Sequence, residues 1–248
     1  MVKVMLVTGA SRGIGAEIAK LAAITGYKVG VNYHRSEQAA RAVVDEIHNA
    51  GGDAILLKAD VGQLDQVVRM FGELDSAFGT LDVLVNNAGV LAAFRVDESD
   101  ETNVADMMQS NVLSAFYCSR EAVRRMSTRH GGKGGAIVNM SSVASRTGGL
   151  AGGAAYAASK GAMDSFTFGL AKEVGLEGIR VNAIRPGLIA TDIHNLHGGL
   201  AQMEKLAKTA VPLGRSGAAS EVAEAALWLA SDAASYVHGA LIDVSGGR

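Results

Sequence analysis

The chain has 248 residues, with 23 Lys and Arg against 25 Asp and Glu, a formal charge of −2, and 5% aromatic side chains. That balance argues against a nucleic-acid backbone as the main partner, which needs a surplus of positive charge, and against a base-stacking platform. The single cysteine, Cys118, excludes an intramolecular disulfide and a multi-thiolate zinc site, and 31 glycines beside 2 prolines point to special backbone positions rather than a disordered linker.

The apolar run at the N-terminus is too short for a secretion signal, and the uncharged run Thr147–Ser159 is too short to span a bilayer. A cytoplasmic location is expected. Val2–Val7 reads as a strand covered on both faces. It runs into Thr8-Gly9-Ala10-Ser11-Arg12-Gly13-Ile14-Gly15, followed by a helix burying Ile18, Leu21, Ala22 and Ile24. Lys28–Tyr33 reads as a strand, Ser36–Ala50 as a Ser-capped helix, and Ala54–Leu57 as a strand. Gln63–Phe78 reads as a helix with Val67, Val68, Phe71, Leu74 and Phe78 on its apolar stripe, and Leu81–Val85 as a strand ending in Asn86-Asn87-Ala88-Gly89. The rhythm then repeats: helix Ala105–Met126, strand Ala136–Met140, helix Tyr156–Val174, strand Arg180–Ile184, helix Glu221–Ser231 and strand Leu241–Val244. Such alternation implies an α/β fold, a doubly wound parallel sheet with helices on both faces. No composition break divides the chain, so 1–248 reads as a single domain with a flap at about 187–215.

Gly9, Gly13 and Gly15 lie between the first strand and the first helix. Glycine there allows a tight turn and close approach of a pyrophosphate to the free N–H groups of a helix start. The second strand ends in Asn32-Tyr33-His34-Arg35-Ser36, with no acid before Glu37 to bond the ribose 2′-hydroxyl of NAD. Arg12 and Arg35 suit a 2′-phosphate, so NADP(H) is expected over NAD(H); the alternative is two solvated surface residues.

Tyr156 and Lys160 are one helical turn apart and point to one side. A neighbouring ammonium stabilises a phenolate, so such a pair can exchange a proton with a carbonyl or alcohol oxygen. Ser142 follows the strand Ala136–Met140, at the carboxyl end where open parallel sheets bind ligands. Its hydroxyl would hold the substrate oxygen against Tyr156. Asn111 lies inside a long helix, where it either bends the helix and holds a water linked to Lys160 or sits on a solvated face.

These motifs, in this order, resemble the short-chain dehydrogenase/reductase family, and the resemblance covers the whole chain. It rests on Thr8–Gly15, Asp60-Val61, Asn86–Gly89, Asn111, Ser142, Tyr156-x-x-x-Lys160, Pro186-Gly187 and the closing Gly246-Gly247. The resemblance implies a Rossmann fold. It also implies that Tyr156 is the general acid/base, that Lys160 lowers its pKa and bonds the nicotinamide ribose, that Ser142 orients substrate, and that Asn111 completes a proton relay. The implied cofactor-binding residues are Gly9, Ser11, Arg12, Gly13, Ile14 and Gly15, then Tyr33, His34 and Arg35, with Asp60 and Val61 flanking the adenine. Asn87, Ala88 and Gly89 would line the cofactor, together with Tyr156, Lys160, Pro186 and Gly187, while Ile189 and Thr191 would meet the nicotinamide amide. The step from Ser142 to Tyr156 is one residue longer than in many members, which makes Ser141 a rival; Ser142 is preferred.

Ala92, Ala93, Phe94, Leu150, Ala151 and Leu188 are expected to shape the substrate pocket. They are small or apolar, which favours a compact ketone, aldehyde or secondary alcohol over an anion, while the resemblance below adds a sugar. The pattern is similar both to glucose 1-dehydrogenase-type enzymes and to 3-oxoacyl-carrier-protein reductases. Arg129-His130 would suit an acidic carrier protein, but Glu177 opposes it. A non-catalytic NADP-binding regulator on the same fold is the rival of another class; it would be expected to have lost the tyrosine or the lysine. His194 and His197 lack further ligands for a metal. Met107, Met108, Met126 and Cys118 read as packing residues. The family also implies a homotetramer, pairing helices 105–126 and 156–174 across small residues such as Ala157, Gly161 and Gly169, with a second contact through the last strand and the helix before it.

Overall fold

A computed structural model describes residues 2–191 and 199–248. Seven parallel strands form one sheet: β1 (Val4–Val7), β2 (Lys28–Tyr33), β3 (Asp53–Lys58), β4 (Val83–Asn86), β5 (Gly135–Met140), β6 (Ile179–Pro186) and β7 (Leu241–Val244). Their order is β3-β2-β1-β4-β5-β6-β7. The direction of winding reverses between β1 and β4, and a crevice opens there at the carboxyl ends of the strands.

The helices are α1 (Gly13–Ile24), α2 (Glu37–Asn49), α3 (Leu64–Phe78), α4 (Glu101–Met108), α5 (Ser114–Met126), α6 (Ala144–Thr147), α7 (Ala154–Val174), α8 (Gly199–Ala210) and α9 (Ala219–Ala230). Side-chain alternation divides β1 between two cores. Met5 and Val7 pack with Ile18, Val43 and Ala226 from α1, α2 and α9. Val4 and Leu6 pack with Phe71, Cys118 and Val174 from α3, α5 and α7. Cys118 is fully buried, and burial pushes its thiol pKa up. Both faces of the sheet are thus covered, as the continuous apolar strands require.

Several expectations need correction. Ile24 ends α1 on the solvent side and is 71% exposed, and Val68 lies beside rather than on the buried stripe of α3. Ala157 is buried within the subunit, and Met108 is partly exposed. The helix expected over 105–126 is instead α4 and α5 joined by a π-turn, Gln109–Leu113. The π-turn's extra residue shifts the helix face, and Asn111 turns inward to 2% exposure rather than sitting on a solvated face. The flap region contains α8, which packs Met203 and Ala207 on Leu188 and Val211. His194 and His197 lie outside the described residues.

Asparagines tie strand to strand beneath the crevice. Asn86 donates to Asn139 Oδ1 at 2.9 Å and to Ser119 Oγ at 3.0 Å, and Asn139 donates to Thr167 Oγ1 at 2.9 Å. Asn32 donates to the carbonyls of Leu57 (3.1 Å) and Ala59 (3.2 Å), while its Oδ1 accepts the Gly9 N–H at 3.0 Å. Replacing it, Asn32→Ala, leaves these buried groups unpaired and is expected to cost roughly 2–4 kcal/mol in chemical denaturation. An unchanged unfolding midpoint would contradict this account of the β1–α1 turn.

Candidate active site

The floor of the crevice is the turn from β1 to α1. Gly9 (φ +62°) and Gly13 (φ +58°) adopt left-handed backbone that favours glycine. A Cβ on Gly15 would lie 2.6 Å from the Gly9 carbonyl oxygen, so side chains are excluded from the bend itself. Thr8 Oγ1 accepts the N–H groups of Asn87 and Ala88 at 3.0 Å each, and Asn87 Nδ2 donates to the carbonyls of Thr8 and Gly9. This lacing fixes the end of β4 against the turn. No side chain caps the start of α1, which leaves N–H donors and the positive end of the helix dipole facing the crevice. These features fit a dinucleotide pyrophosphate.

At the ends of β2 and β3 the expected residues surround one edge of this turn. Arg12, His34 and Arg35 are exposed, and among the described residues neither arginine has an ion-pair partner. Glu37, the first acid after β2, is engaged by Arg41 at 3.1 Å, and its bonds to Arg41 and Tyr33 hold its carboxyl below the usual range. Asp60 Oδ1 accepts the Gly62 N–H at 3.0 Å, and Gln109 of the π-turn donates to the Gly62 carbonyl. Asp60 and Val61 are thereby held beside the crevice.

The acid–base residues meet on the other side. Tyr156 and Lys160 share one face of α7, and Lys160 Nζ stands 5.8 Å from the Tyr156 ring centre. Lys160 is 5% exposed and donates to the Met140 carbonyl at the end of β5 at 2.8 Å. Burial lowers its pKa to about 8, with the Asp164 carboxylate acting in the opposite direction. The Tyr156 phenol is raised by burial and pulled back by its bond with Ser142. In this arrangement Lys160 Nζ donates to the Met140 carbonyl rather than to the phenol.

The neighbouring serines have different surroundings. Ser142 faces the cavity, and its Oγ accepts the Ala144 N–H at 3.1 Å. Ser141 is buried and donates to Asp164 Oδ1 at 2.7 Å. The rival serine thus has its hydroxyl committed to a carboxylate. Asn111 Oδ1 accepts the Val90 N–H at 2.7 Å, and its Nδ2 donates to the Val90 carbonyl and to Ser159 Oγ, both at 3.0 Å. Ser159 Oγ in turn donates to the Tyr156 carbonyl at 2.7 Å. A Cβ on Gly89 would stand 2.9 Å from Asn111 Oδ1 and 3.6 Å from Lys160 Nζ.

A cavity of about 170 Å³ connects these groups. It is lined by Ser142, Tyr156 and Lys160, by Ile14, Asn87, Gly89, Pro186, Gly187, Ile189 and Thr191, and by the apolar side chains of Val90, Leu91, Leu150 and Leu188. Ala92, Ala93 and Ala151 line it as expected, whereas Phe94 does not. Sequence reasoning missed Arg248, which also lines the cavity although it lies far along the chain from every motif. Its position after Gly246-Gly247 gave no signal of chemistry.

The family model described as enoyl-(acyl carrier protein) reductase matches residues 9–248. An uncharacterized oxidoreductase of Escherichia coli K12, YgfF, is 47% identical over 99% of both chains. The 3-oxoacyl-[acyl-carrier-protein] reductase FabG of Staphylococcus aureus is 40% identical, covering 100% of this chain and 98% of the relative. A solved double variant of a Serratia marcescens short-chain dehydrogenase/reductase superposes with a TM-score of 0.91 at 36% identity, over 99% of this chain and 97% of that one.

The lowered value of Lys160 gives a stability signature. The folded state binds this proton less tightly than the unfolded chain, whose lysine titrates near 10.5. The cost of burying the ammonium is complete below pH 8 and fades as pH rises toward 10.5. Relative to Lys160→Met, the wild type is expected to gain up to about 3 kcal/mol across that window in denaturant titrations. A pH-independent difference would contradict the burial effect.

Proposed function

The chain belongs to the short-chain dehydrogenase/reductase family of oxidoreductases, and from that premise we propose that it interconverts a carbonyl and a secondary alcohol with NADP(H). The observation that carries this reading is the convergence of Tyr156, Ser142 and Lys160 on one cavity shared with Ile14 at the start of α1 and with Ile189 and Thr191. When bound, a nicotinamide would supply or accept the hydride. Gly9, Ser11, Gly13, Ile14, Gly15, Asn87, Ala88 and Gly89 would hold the dinucleotide, and Ile189 and Thr191 would meet the nicotinamide side.

Tyr156 performs the proton step. Its raised pKa keeps the phenol protonated at neutral pH, the form that reduction requires. As hydride reaches the carbonyl carbon, the carbonyl oxygen gains charge and takes the phenol proton, while the Ser142 hydroxyl bonds the same oxygen. Lys160, still largely protonated at pH 7, favours the phenolate left behind. Asn111 holds Val90 and Ser159 in place around this centre. Oxidation of an alcohol runs the same steps backward.

The preference for NADP(H) is supported by Arg12 and Arg35, both exposed beside the turn, and by a β2 end without an acid. Glu37 is neutralised by Arg41. Replacing both arginines with alanine is expected to raise the KM for NADPH by about tenfold or more and leave that for NADH within about twofold. Equal turnover of the two cofactors by the wild type would contradict the preference.

Reduction of a 3-oxoacyl group on a carrier protein is the second reading, favoured by the relatives' descriptions. Against it, Glu177 sits at the mouth of the Arg129 loop, accepting from Ser127 at 2.5 Å and lying 4.0 Å from Arg129. Its carboxylate offsets the positive charge of Arg129 that an acidic partner would need. Rates with an acetoacetyl thioester should be unaffected by free carrier protein; a large gain from the carrier would favour the second reading. Homotetramer assembly is supported by Phe116 and Phe168, partly exposed on α5 and α7, and by open space beside Gly161 and Gly169.

Tyr156→Phe is expected to lower kcat for carbonyl reduction by about 10²- to 10⁴-fold with cofactor affinity unchanged. Full activity in this variant would remove the proposed mechanism.

A further inference from the structure

We propose that Arg248 selects the substrate, and that the substrate carries an oxyanion, a carboxylate or a phosphate ester, on the same small molecule as the reacting carbonyl. This deepens the carbonyl–alcohol reading and rests on it. The first observation is the charge of the cavity. Among the described residues its lining includes two basic residues, Lys160 and Arg248, and no aspartate or glutamate. Lys160 is occupied with the Met140 carbonyl and the proton step, which leaves Arg248 to meet a ligand.

The second observation is how Arg248 is held. Ser141, which also lines the cavity, donates to Asp164. Arg185 donates to Asp164 Oδ2 at 2.7 Å, with its Nη1 3.7 Å from Asp243. Arg146 pairs with the same Asp243 at 3.1 Å and donates to the Arg248 carbonyl at 2.6 Å. Ser245 Oγ donates to that carbonyl at 3.1 Å. Two aspartates and two arginines balance each other along this chain of contacts. It anchors the Arg248 backbone through its carbonyl, while the guanidinium makes no ion pair or hydrogen bond with any described residue.

A fixed backbone with a free planar fork is the arrangement that recognises carboxylate or phosphate oxygens. The remaining walls, Val90, Leu91, Leu150 and Leu188, fit a short hydrocarbon skeleton. The expectation of a neutral substrate followed from Ala92, Ala93, Phe94, Leu150, Ala151 and Leu188 alone. Arg248 reverses it, because an unpaired guanidinium beside an apolar cavity favours a ligand of opposite charge.

The test pairs charged and neutral versions of one skeleton. Aliphatic oxo acids with one to three methylenes between carbonyl and carboxylate are compared with their methyl esters, and dihydroxyacetone phosphate with dihydroxyacetone. The two sets distinguish carboxylate from phosphate. The wild type is expected to favour the charged member of at least one pair by about tenfold or more in kcat/KM. Arg248→Gln should erase that preference and leave the neutral member within about twofold; Arg248→Lys should restore part of it. No preference in any pair, or an equal loss for both members in Arg248→Gln, would overturn the proposal. If no carbonyl compound is reduced, binding decides. The melting temperature of the protein with NADPH is measured with butanoate and with inorganic phosphate. A rise that disappears in Arg248→Gln keeps the anion site and removes the hydride-transfer reading instead. No rise, or one equal in both proteins, overturns the anion site.

Discussion

The paired hydrogen bonds between the Asn111 side chain and the Val90 backbone join three parts of the molecule. Asn111 belongs to the π-turn between α4 and α5, Val90 to the segment leaving β4, and its third partner Ser159 to α7. These are the carriers of the crevice edge, the long α5 support and the Tyr156–Lys160 pair. A regular α-helix through 109–113 would turn this amide away from Val90. The π-turn is the local irregularity that buries it, and functional sites often hold such bulges. Gly89 completes the fit, since a side chain there would strike the Asn111 oxygen.

Burial sets the proton chemistry on either side of this brace. Lys160 and Tyr156 both lose water, and the neutral form of each gains. Asp164, one turn beyond Lys160, partly restores the ammonium, but it is also shared with Ser141 and Arg185. The adjacent serines part company because successive residues leaving a strand point to opposite sides. Ser141 points down to the Asp164 carboxylate, and Ser142 points up to the cavity. Changing Ser142 would leave the buried network beneath it intact.

Much of this was legible in the residues. Continuous apolar strands alternating with amphipathic stripes implied a parallel sheet covered on both faces, and β2 and β7 have the bounds expected. The glycine turn was legible because positive φ and close backbone approach demand glycine. Tyr156 and Lys160 were legible through helical spacing. The π-turn was not, since Asn111 looks like any polar residue in an amphipathic pattern until Val90 comes into contact. Ile24 and Val68 misled because apolar residues at the margin of a stripe are often left outside. Arg248 was invisible because its place depends on the chain of contacts Ser141–Asp164–Arg185–Asp243–Arg146, assembled from four separate elements.

Beside the cavity, Ile189 and Gly217 form a small parallel bridge, with Ala190 donating to Gly217 and Gly217 to Leu188 at 2.8 Å each. The bridge ties the segment that leaves β6 to the residues just before α9. Because loop closure cost grows only slowly with length, such an excursion tolerates lengthening or exchange with little penalty. A protein engineer would thus have two fixed ends, Ile189 and Gly217, between which chain length could change while the strands beneath the Tyr156 site stayed in register.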